Sequence, residues 1–246
     1  MKDLIESAVN KTGQKAIIVG HSMGCPYSYE VMMSQPESWR KQYISRWIAI
    51  APVLAGTPLA IHSMVSESAL NFPIVNDYVR HIFLTARDLE EQYYLLPRQQ
   101  YGDGKTVFYR SNNRTYTYKD FPELLDRMGS AHGRVMIKKA DSFVAKTQLR
   151  HPGVPSTFMY SLGHKTAAGG IFENDDDIGK KDPKTFYDDG DFVVTEEALT
   201  GTGKKWLSDP ATANMTELVK VDKANHLTIL YKALTKQTVG NYACDS

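Results

Sequence analysis

The first third of the chain alternates helical patterns of apolar residues with short, unbroken apolar runs. Residues 4–9 place their apolar side chains on one face of a helical wheel, and residues 25–34 carry a second pattern of helical spacing. The uninterrupted runs Ala16–Val19 and 47–50 are typical of buried strands. Residues 39–43 are predicted as a polar bridge. Strand, helix and strand in this order indicate a right-handed βαβ unit and a parallel sheet.

From residue 55 to about residue 150 the pattern shows no convincing alternation of strands and helices, which predicts an insertion. Two apolar clusters stand out within it: Ile74, Val75, Tyr78, Ile82 and Phe83, and then Tyr93–Leu96. Each is interpreted either as the insertion's own core or as a surface that faces an apolar substrate or lipid. Asp120–Glu123, followed by apolar residues at helical spacing, predicts a capped helix start.

In the last third the buried-strand pattern returns at residues 157–163 and again at residues 217–221. Residues 174–191, between them, are predicted as an acidic loop that contains glycine. The segment after the last strand predicts a helix in which four apolar residues share one face: Leu227, Leu230, Tyr231 and Leu234. These patterns predict an α/β fold with core segments at residues 1–54 and 151–246 and an insertion at residues 55–150.

Composition and charge exclude several classes of protein. A length of 246 residues, 42% of them hydrophobic, suffices for one sizeable core. The formal net charge of +1, without a long run of one sign, does not favour nucleic acid or an acidic membrane surface as a partner. From its acidic residues, the start of the chain is not expected to act as a secretory signal, and the longest apolar stretch, residues 47–61, is too short to span a bilayer. Cys25 and Cys244 make no disulfide framework, and Cys25 is expected to pack as a small hydrophobe.

The strand at Ala16–Val19 leads directly into Gly20-His21-Ser22-Met23-Gly24, and a helix pattern follows. This is the G-x-S-x-G pattern of a nucleophile elbow, in which a serine on a sharp turn presents its hydroxyl above a sheet. We expect Gly20 and Gly24 to be needed where a side chain would crowd that turn. The alternative is a serine in an ordinary glycine-rich turn. If the elbow is correct, the backbone N–H of Met23 contributes to an oxyanion hole.

A serine hydroxyl becomes a good nucleophile when a histidine takes its proton and a carboxylate orients that histidine. His226 follows the last strand and begins the last helix, where such a histidine belongs, although it could be an ordinary loop histidine. Asp191 is the predicted acid, with Asp188 and Asp189 as alternatives. His21 is expected to point away from the serine and to be structural.

The remaining acidic residues suggest no metal site. Asp175–Asp177 are interpreted as a solvated loop, since they lack the ligand spacing of a calcium site. No metal and no cofactor is therefore expected.

Several short blocks, each weak alone, occur in a specific order. They are Val19–Gly24, Gln35-Pro36 with Trp39, Ile50–Pro52, Gly56–Pro58, Leu96-Pro97, Thr106–Phe108, Tyr118–Phe121, Asp189–Asp191 and Asn225–Leu227. In this combination the chain resembles the lecithin:cholesterol acyltransferase and lysosomal phospholipase A family from Leu4 to Leu234. Two blocks depart from the family's pattern near the expected acyl site. Val53–Ala55 replaces the tryptophan segment of A-P-W-G-G, and Asp191-Phe192-Val193-Val194 replaces D-G-T-V.

The resemblance implies the carboxyl-terminal half of an α/β-hydrolase sheet, with helices on both faces and an inserted cap. It implies that a fatty acyl group passes from a phospholipid, or another acyl ester, to water or a lipid alcohol through an acyl-serine. Residue by residue, the implied triad is Ser22, Asp191 and His226. The implied surroundings are a transient membrane or lipoprotein surface in a secreted or lysosomal location.

Only 21 residues precede Ser22, enough for one helix and one strand. We therefore expect the first half of such a sheet to be missing, either because the chain is a fragment or because it is a shortened relative. The strand before Ser22 would then be an unprotected edge, open to self-association. The loop that gives the second oxyanion donor would also be missing, so residues 1–246 alone should be nearly inactive. The alternative function is a catalytically silent module that binds lipid or protein.

Overall fold

The structure, a computed structural model, describes residues 1–65, 90–130 and 132–244. In chain order its strands are β1 (Ala16–His21), β2 (Ile44–Ile50), β3 (Tyr109–Arg110), β4 (Thr115–Tyr116), β5 (Ser156–Tyr160), β6 (His164–Ile171), β7 (Lys184–Gly190) and β8 (Thr216–Lys220). The helices are α1 (Lys2–Thr12), α2 (Gly24–Met33), α3 (Glu37–Tyr43), α4 (Pro58–Val65), α5 (Glu90–Tyr94), α6 (Phe121–Arg127), α7 (Gly133–Thr147), α8 (Glu196–Ser208) and α9 (Ala233–Cys244). Within these described ranges no helix is long and apolar enough to cross a membrane.

The chain divides into two units. The first contains Met1–Leu54, Leu149–His164 and Ala198–Ser246, and the second contains Ala55–Gln148 and Lys165–Glu197. The second unit thus includes a stretch beyond the insertion expected from the pattern, and that stretch carries the predicted acid. The three-segment division made from the sequence remains a prediction.

The first unit is built on a four-stranded sheet in the order β1-β2-β5-β8, in which every neighbouring pair is parallel. Helices lie on both sides of the sheet, as expected for the predicted α/β class. Because the strands are parallel, their carboxyl ends share one edge of the sheet. Strands β1 and β8 stand at opposite ends of this order. Among the described strands β1 therefore pairs with β2 alone, and the predicted self-association through its outer edge remains a prediction.

A cluster of aromatic residues fills the core of this unit. The ring of Phe158 on β5 meets Trp47 on β2 edge-on at 5.8 Å and Trp206 on α8 at 5.4 Å, between ring centroids. Trp47 is fully buried, and its indole N–H donates to the hydroxyl of Ser28 over 3.0 Å. These strands and helices are thus fixed to one another by side chains that also satisfy their polar atoms.

The second unit has its own sheet, in the order β4-β3-β6-β7, with β3 parallel to β6 and antiparallel to β4. Its core includes Tyr93 and Leu96, which are buried, so that part of the second predicted cluster belongs to the insertion's own core. The first predicted cluster, Ile74 to Phe83, lies outside the described residues. The predicted helix is present as α6, which begins at Phe121, but the side chain of Asp120 does not cap it. The Asp120 carboxylate instead accepts the N–H of Thr117 in a capping box around the preceding 3₁₀ turn.

Several predicted elements were wrong. Residues 39–43 belong to α3 rather than to a polar bridge, because Arg40 is buried and donates to the backbone carbonyls of Gln35 and Pro152. The region without apparent alternation contains four described helices, of which α4 is almost wholly buried and therefore lacks an amphipathic pattern. Strand β7 lies inside the predicted acidic loop.

The predicted apolar face after His226 is also wrong. The side chain of Asn225 accepts the N–H groups of Leu227 and Thr228, and a 3₁₀ turn follows at Thr228–Tyr231 before α9 begins. A 3₁₀ turn repeats every three residues rather than every 3.6, so the expected helical face does not form. Ile229 is buried instead, while Leu227 and Tyr231 are 61% and 73% exposed.

Candidate active site

Ser22 sits at a sharp turn between β1 and α2. Its φ of 54° lies in the left-handed region that few residues other than glycine adopt. Its N–H donates to the carbonyl of Ile50 over 3.0 Å, and its own carbonyl accepts the N–H of Cys25 over 3.0 Å. The neighbouring strand and the first turn of the helix therefore hold the strained conformation in place.

The two glycines of the motif have different roles. A Cβ atom on Gly20 would lie 2.9 Å from the carbonyl oxygen of Gly24 and 3.0 Å from backbone atoms of Cys25. At Gly24 an added Cβ would meet nothing within 4 Å, so the expectation of crowding was correct for Gly20 and wrong for Gly24. Cys25 is fully buried, and its burial raises the pKa of its thiol. It packs under the turn as a small apolar residue, as expected.

His226 reaches Ser22 from the loop after β8. Its Nε2 atom lies 2.8 Å from the Ser22 Oγ, and the residue is only 6% exposed. In the tautomer that leaves Nε2 without a proton, the ring accepts the hydroxyl hydrogen of Ser22. The structure thus brings together two residues that the sequence predicted as partners. Such a pair is the arrangement that activates a serine hydroxyl for nucleophilic attack.

Asp191 lies at the start of a tight turn in the second unit, just after β7. Its Oδ1 atom accepts the N–H groups of Val193 and Val194 over 3.0 and 2.8 Å, and its own N–H donates to the carbonyl of Val194. Asp191 is fully buried, whereas Asp188 and Asp189 are exposed on β7. Of the three candidate acids, Asp191 is the one whose carboxylate is withdrawn from solvent and fixed by backbone amides.

The acidic residues before β7 are more ordered than the solvated loop that we expected. Asp175 accepts hydrogen bonds from the hydroxyls of Ser111 and Tyr116. Asp177 accepts the N–H of Asn174, which closes a capping box around a short 3₁₀ turn. Their role is structural, since they tie the loop to β4 and to the turn after β3. In the described part of the chain no three His, Cys, Asp or Glu side chains cluster as metal ligands.

Met23 follows the serine and precedes the first residue of α2. Its φ and ψ of −61° and −22° are already helical, so its N–H belongs to the positive end of a ten-residue helix. This is the position from which the predicted oxyanion donor would act.

Two further histidines contact the loop that carries His226. The Nε2 atom of His21 lies 2.8 Å from the backbone carbonyl oxygen of His226, and the two rings are 5.0 Å apart. The Nε2 atom of His164 lies 2.9 Å from the carbonyl oxygen of Ala224. Sequence reasoning assigned His21 a structural role away from the serine and missed His164. The available signal was that His21 ends β1 and that His164 follows the end of β5 by four residues.

A parallel sheet with a serine at an elbow after one strand and a histidine after the last strand defines the α/β-hydrolase fold. A solved structure, the Tle4–Tli4 complex, shares this fold with a TM-score of 0.62 at 11% sequence identity, over 96% of this chain and 62% of that one. The family model for lecithin:cholesterol acyltransferase matches residues 1–149, and the chain belongs to that family.

Individual relatives agree with this assignment. The bovine lysosomal phospholipase A and acyltransferase is 26% identical over 194 residues, which are 79% of this chain and 46% of the relative. The mouse phosphatidylcholine-sterol acyltransferase is 23% identical over 96% of this chain and 52% of its own length. A rice lecithin-cholesterol acyltransferase-like protein is 27% identical over 81% of this chain and 42% of its own length. The chain therefore spans about half the length of the relatives that it matches.

Proposed function

We propose that this protein moves a fatty acyl group from a phospholipid, or a related acyl ester, to water or a lipid alcohol through an acyl-serine on Ser22. The observation that carries the proposal is the 2.8 Å contact between Ser22 Oγ and His226 Nε2 at a nucleophile elbow. The family supports the substrate class, because relatives of this chain are named phospholipase A and acyltransferase.

The proposed reaction has two halves, the acylation of Ser22 and the release of the acyl group. Ser22 Oγ attacks the acyl carbonyl carbon while His226 Nε2 takes its proton, which forms a tetrahedral oxyanion. The N–H of Met23, at the positive end of α2, stabilises that oxyanion. The bond to the leaving alcohol then breaks, and His226 returns the proton to the leaving oxygen. In the second half water or a lipid alcohol attacks the acyl carbon while His226 Nε2 takes its proton. The bond between that carbon and Ser22 Oγ then breaks, His226 returns the proton to Oγ, and a fatty acid or a new acyl ester leaves.

We assign Asp191 as the acid that holds His226 in the required tautomer. A carboxylate that accepts a hydrogen bond from Nδ1–H keeps the proton on Nδ1, so that Nε2 can accept the hydroxyl hydrogen of the serine. Two backbone amides hold Oδ1 of Asp191, which fixes the carboxylate at the start of its turn. Asp188 and Asp189 are exposed, and water would weaken any such interaction.

The test is active-site labelling with a fluorophosphonate, which reacts with a serine activated by a histidine. We expect one modified residue, Ser22, and complete loss of labelling in Ser22→Ala without loss of folded structure. Ser34→Ala is a matched control, because Ser34 is an exposed serine at the end of the same helix. Labelling that persists in Ser22→Ala would contradict the assignment. Absence of labelling in the unaltered protein would favour the silent lipid- or protein-binding module instead.

A second assay addresses the chain on its own. Turnover of phospholipid vesicles and of a short nitrophenyl ester by residues 1–246, with and without added amino-terminal sequence, tests the expectation of low activity. Equal turnover by the two forms would show that both oxyanion donors come from within these residues.

A further inference from the structure

The loop that carries His226 has to cross most of the first sheet. Ser22 follows β1 and His226 follows β8, and these strands stand at opposite ends of the order β1-β2-β5-β8. With roughly 4.8 Å between neighbouring strands, the distance to be crossed is about 14 Å. The loop does not run straight over this distance, because it turns at Asp222 and Lys223, where Lys223 has a φ of 52°.

Hydrogen bonds hold this loop at successive points along its path. The N–H of Val221 donates to the carbonyl of Tyr160 at the end of β5 over 2.7 Å. Further along, the His164 ring, beyond β5, binds the carbonyl of Ala224 at 2.9 Å. At the far end the His21 ring, on β1, binds the carbonyl of His226 at 2.8 Å.

Both ring contacts require the same protonation pattern. A backbone carbonyl accepts hydrogen bonds and cannot donate them, so Nε2 of His21 and of His164 must carry the proton. That proton is present in the neutral Nε2–H tautomer and also in the doubly protonated ring. The neutral Nδ1–H tautomer would lose the contact.

The contact between His21 and the loop of His226 lies next to the contact between Ser22 and His226. His21 and Ser22 are consecutive, and together they bind His226 at two points, its backbone carbonyl and its ring. One point alone would leave the ring free to swing on its loop, whereas two points from one rigid strand end define its position. A displacement of about 1 Å in such a pair can cost about a hundredfold in rate.

We infer that His21 and His164 are positioning residues that hold the loop of His226 across the sheet and keep its ring in contact with Ser22. The inference rests on the proposed function, because the position of the ring matters only if Ser22 is the nucleophile. Neither residue acts on the substrate. Both are half-buried, so neither is required as part of the apolar core.

The kinetic test compares Leu and Gln at each position. Leucine removes the donor, whereas the amide of glutamine can still donate to the carbonyl. We expect His21→Leu and His164→Leu to lower the maximal rate of Ser22 labelling, kinact, by about 10- to 100-fold with little change in KI for the fluorophosphonate. The Gln variants should recover most of the rate. His132→Leu, at an exposed histidine of the second unit, is the control. Unchanged rates in both Leu variants would overturn the inference.

A spectroscopic test does not depend on activity. Nitrogen-15 NMR of the histidine rings in the unaltered protein should show His21 and His164 with the proton on Nε2. The Nε2 signal of His226 should shift in the Leu variants and return in the Gln variants. A dominant Nδ1–H tautomer at either histidine, or an unmoved His226 signal, would overturn the inference. If these signals behave as expected while Ser22 resists labelling, the proposed function fails and the loop contacts stand.

Discussion

Ser22 Oγ and His226 Nε2 lie 2.8 Å apart although 204 positions separate them in the chain. The parallel sheet makes this contact possible, because it directs the loops after β1 and β8 to the same edge. The elbow holds the serine on one side, and a tightly hydrogen-bonded loop holds the histidine on the other. The consequences can be tested residue by residue.

The first prediction concerns the acid. In the form with added amino-terminal sequence, Asp191→Asn should lower turnover of a nitrophenyl ester by about 10⁴, because an amide favours the wrong tautomer of the histidine. The turn should remain intact, since the amide oxygen can still accept the N–H groups of Val193 and Val194. Asp188→Asn and Asp189→Asn are matched controls on exposed positions and should change turnover less than about tenfold. A larger loss in either control would move the assignment to that residue.

The second prediction concerns the glycines of the elbow. Gly20→Ala should destabilise the protein by about 1–3 kcal/mol, because the new methyl group meets backbone atoms that cannot move aside. Gly24→Ala, where nothing lies within 4 Å, should be neutral or stabilise by up to about 1 kcal/mol in its helical position. Urea unfolding of the two variants measures the difference. Equal losses of unfolding free energy in the two variants would mean that a Cβ atom at Gly24 is also crowded by its neighbours.

The third prediction concerns the stability of the second unit against pH. His62 is buried, its ring nitrogens contact the hydroxyls of Tyr109 and Thr185, and burial lowers its pKa from 6.5 to about 4. Between these values the unfolded chain binds a proton that the folded chain does not. The contribution of neutral His62 to the free energy of unfolding is therefore full above about pH 6.5 and is lost as the pH falls towards 4. The total loss amounts to about 3 kcal/mol.

The matching variant is His62→Gln, which removes the titrating group. Its free energy of unfolding should depend less steeply on pH between 6.5 and 4 than that of the unaltered protein. Parallel curves for the two proteins would show that His62 does not titrate between the folded and unfolded states.

The fourth prediction concerns the turn that carries the acid. Phe192 has a φ of 81° and is half exposed, at the position where the family's D-G-T-V pattern has glycine. A residue with a Cβ is strained there, so Phe192→Gly should stabilise the protein by about 1 kcal/mol. Val193→Gly, at the next position, should instead destabilise it by a similar amount through added chain entropy. Thermal unfolding of the two variants measures these opposite changes in stability. A loss of stability in Phe192→Gly would contradict the presence of backbone strain at Phe192.

The fifth prediction concerns the lipid surface. Leu227 and Tyr231 follow the histidine and are 61% and 73% exposed, so they are available to enter a lipid layer. Leu227→Ser and Tyr231→Ser should each lower turnover on phospholipid vesicles roughly tenfold and leave a soluble ester unaffected. Leu4→Ser, at a leucine of α1 that is 73% exposed, is the control and should change neither. Equal losses on both substrates would place these residues in the fold or the chemistry instead.

Much of the site follows from the sequence. The strand, the turn and the helix around Ser22 are contiguous, so apolar periodicity and a pair of glycines suffice to predict them. The succession of strand, helix and strand, which predicts a parallel sheet, follows from the same patterns. Buried helices such as α4 were missed, because a helix with little polar surface has no amphipathic period to detect.

Tertiary structure decided the rest. A 3₁₀ turn at Thr228–Tyr231 replaces the first part of the helix that the apolar spacing predicted, and it begins beside Asn225, whose side chain accepts two backbone N–H groups. Which rings bind the loop depends on strand order, since His21 and His164 reach it only because β1 and β5 lie along its path. A sequence pattern states which face of an element is apolar. It does not state which distant element lies beside it, because that choice is made by the packing of the whole unit.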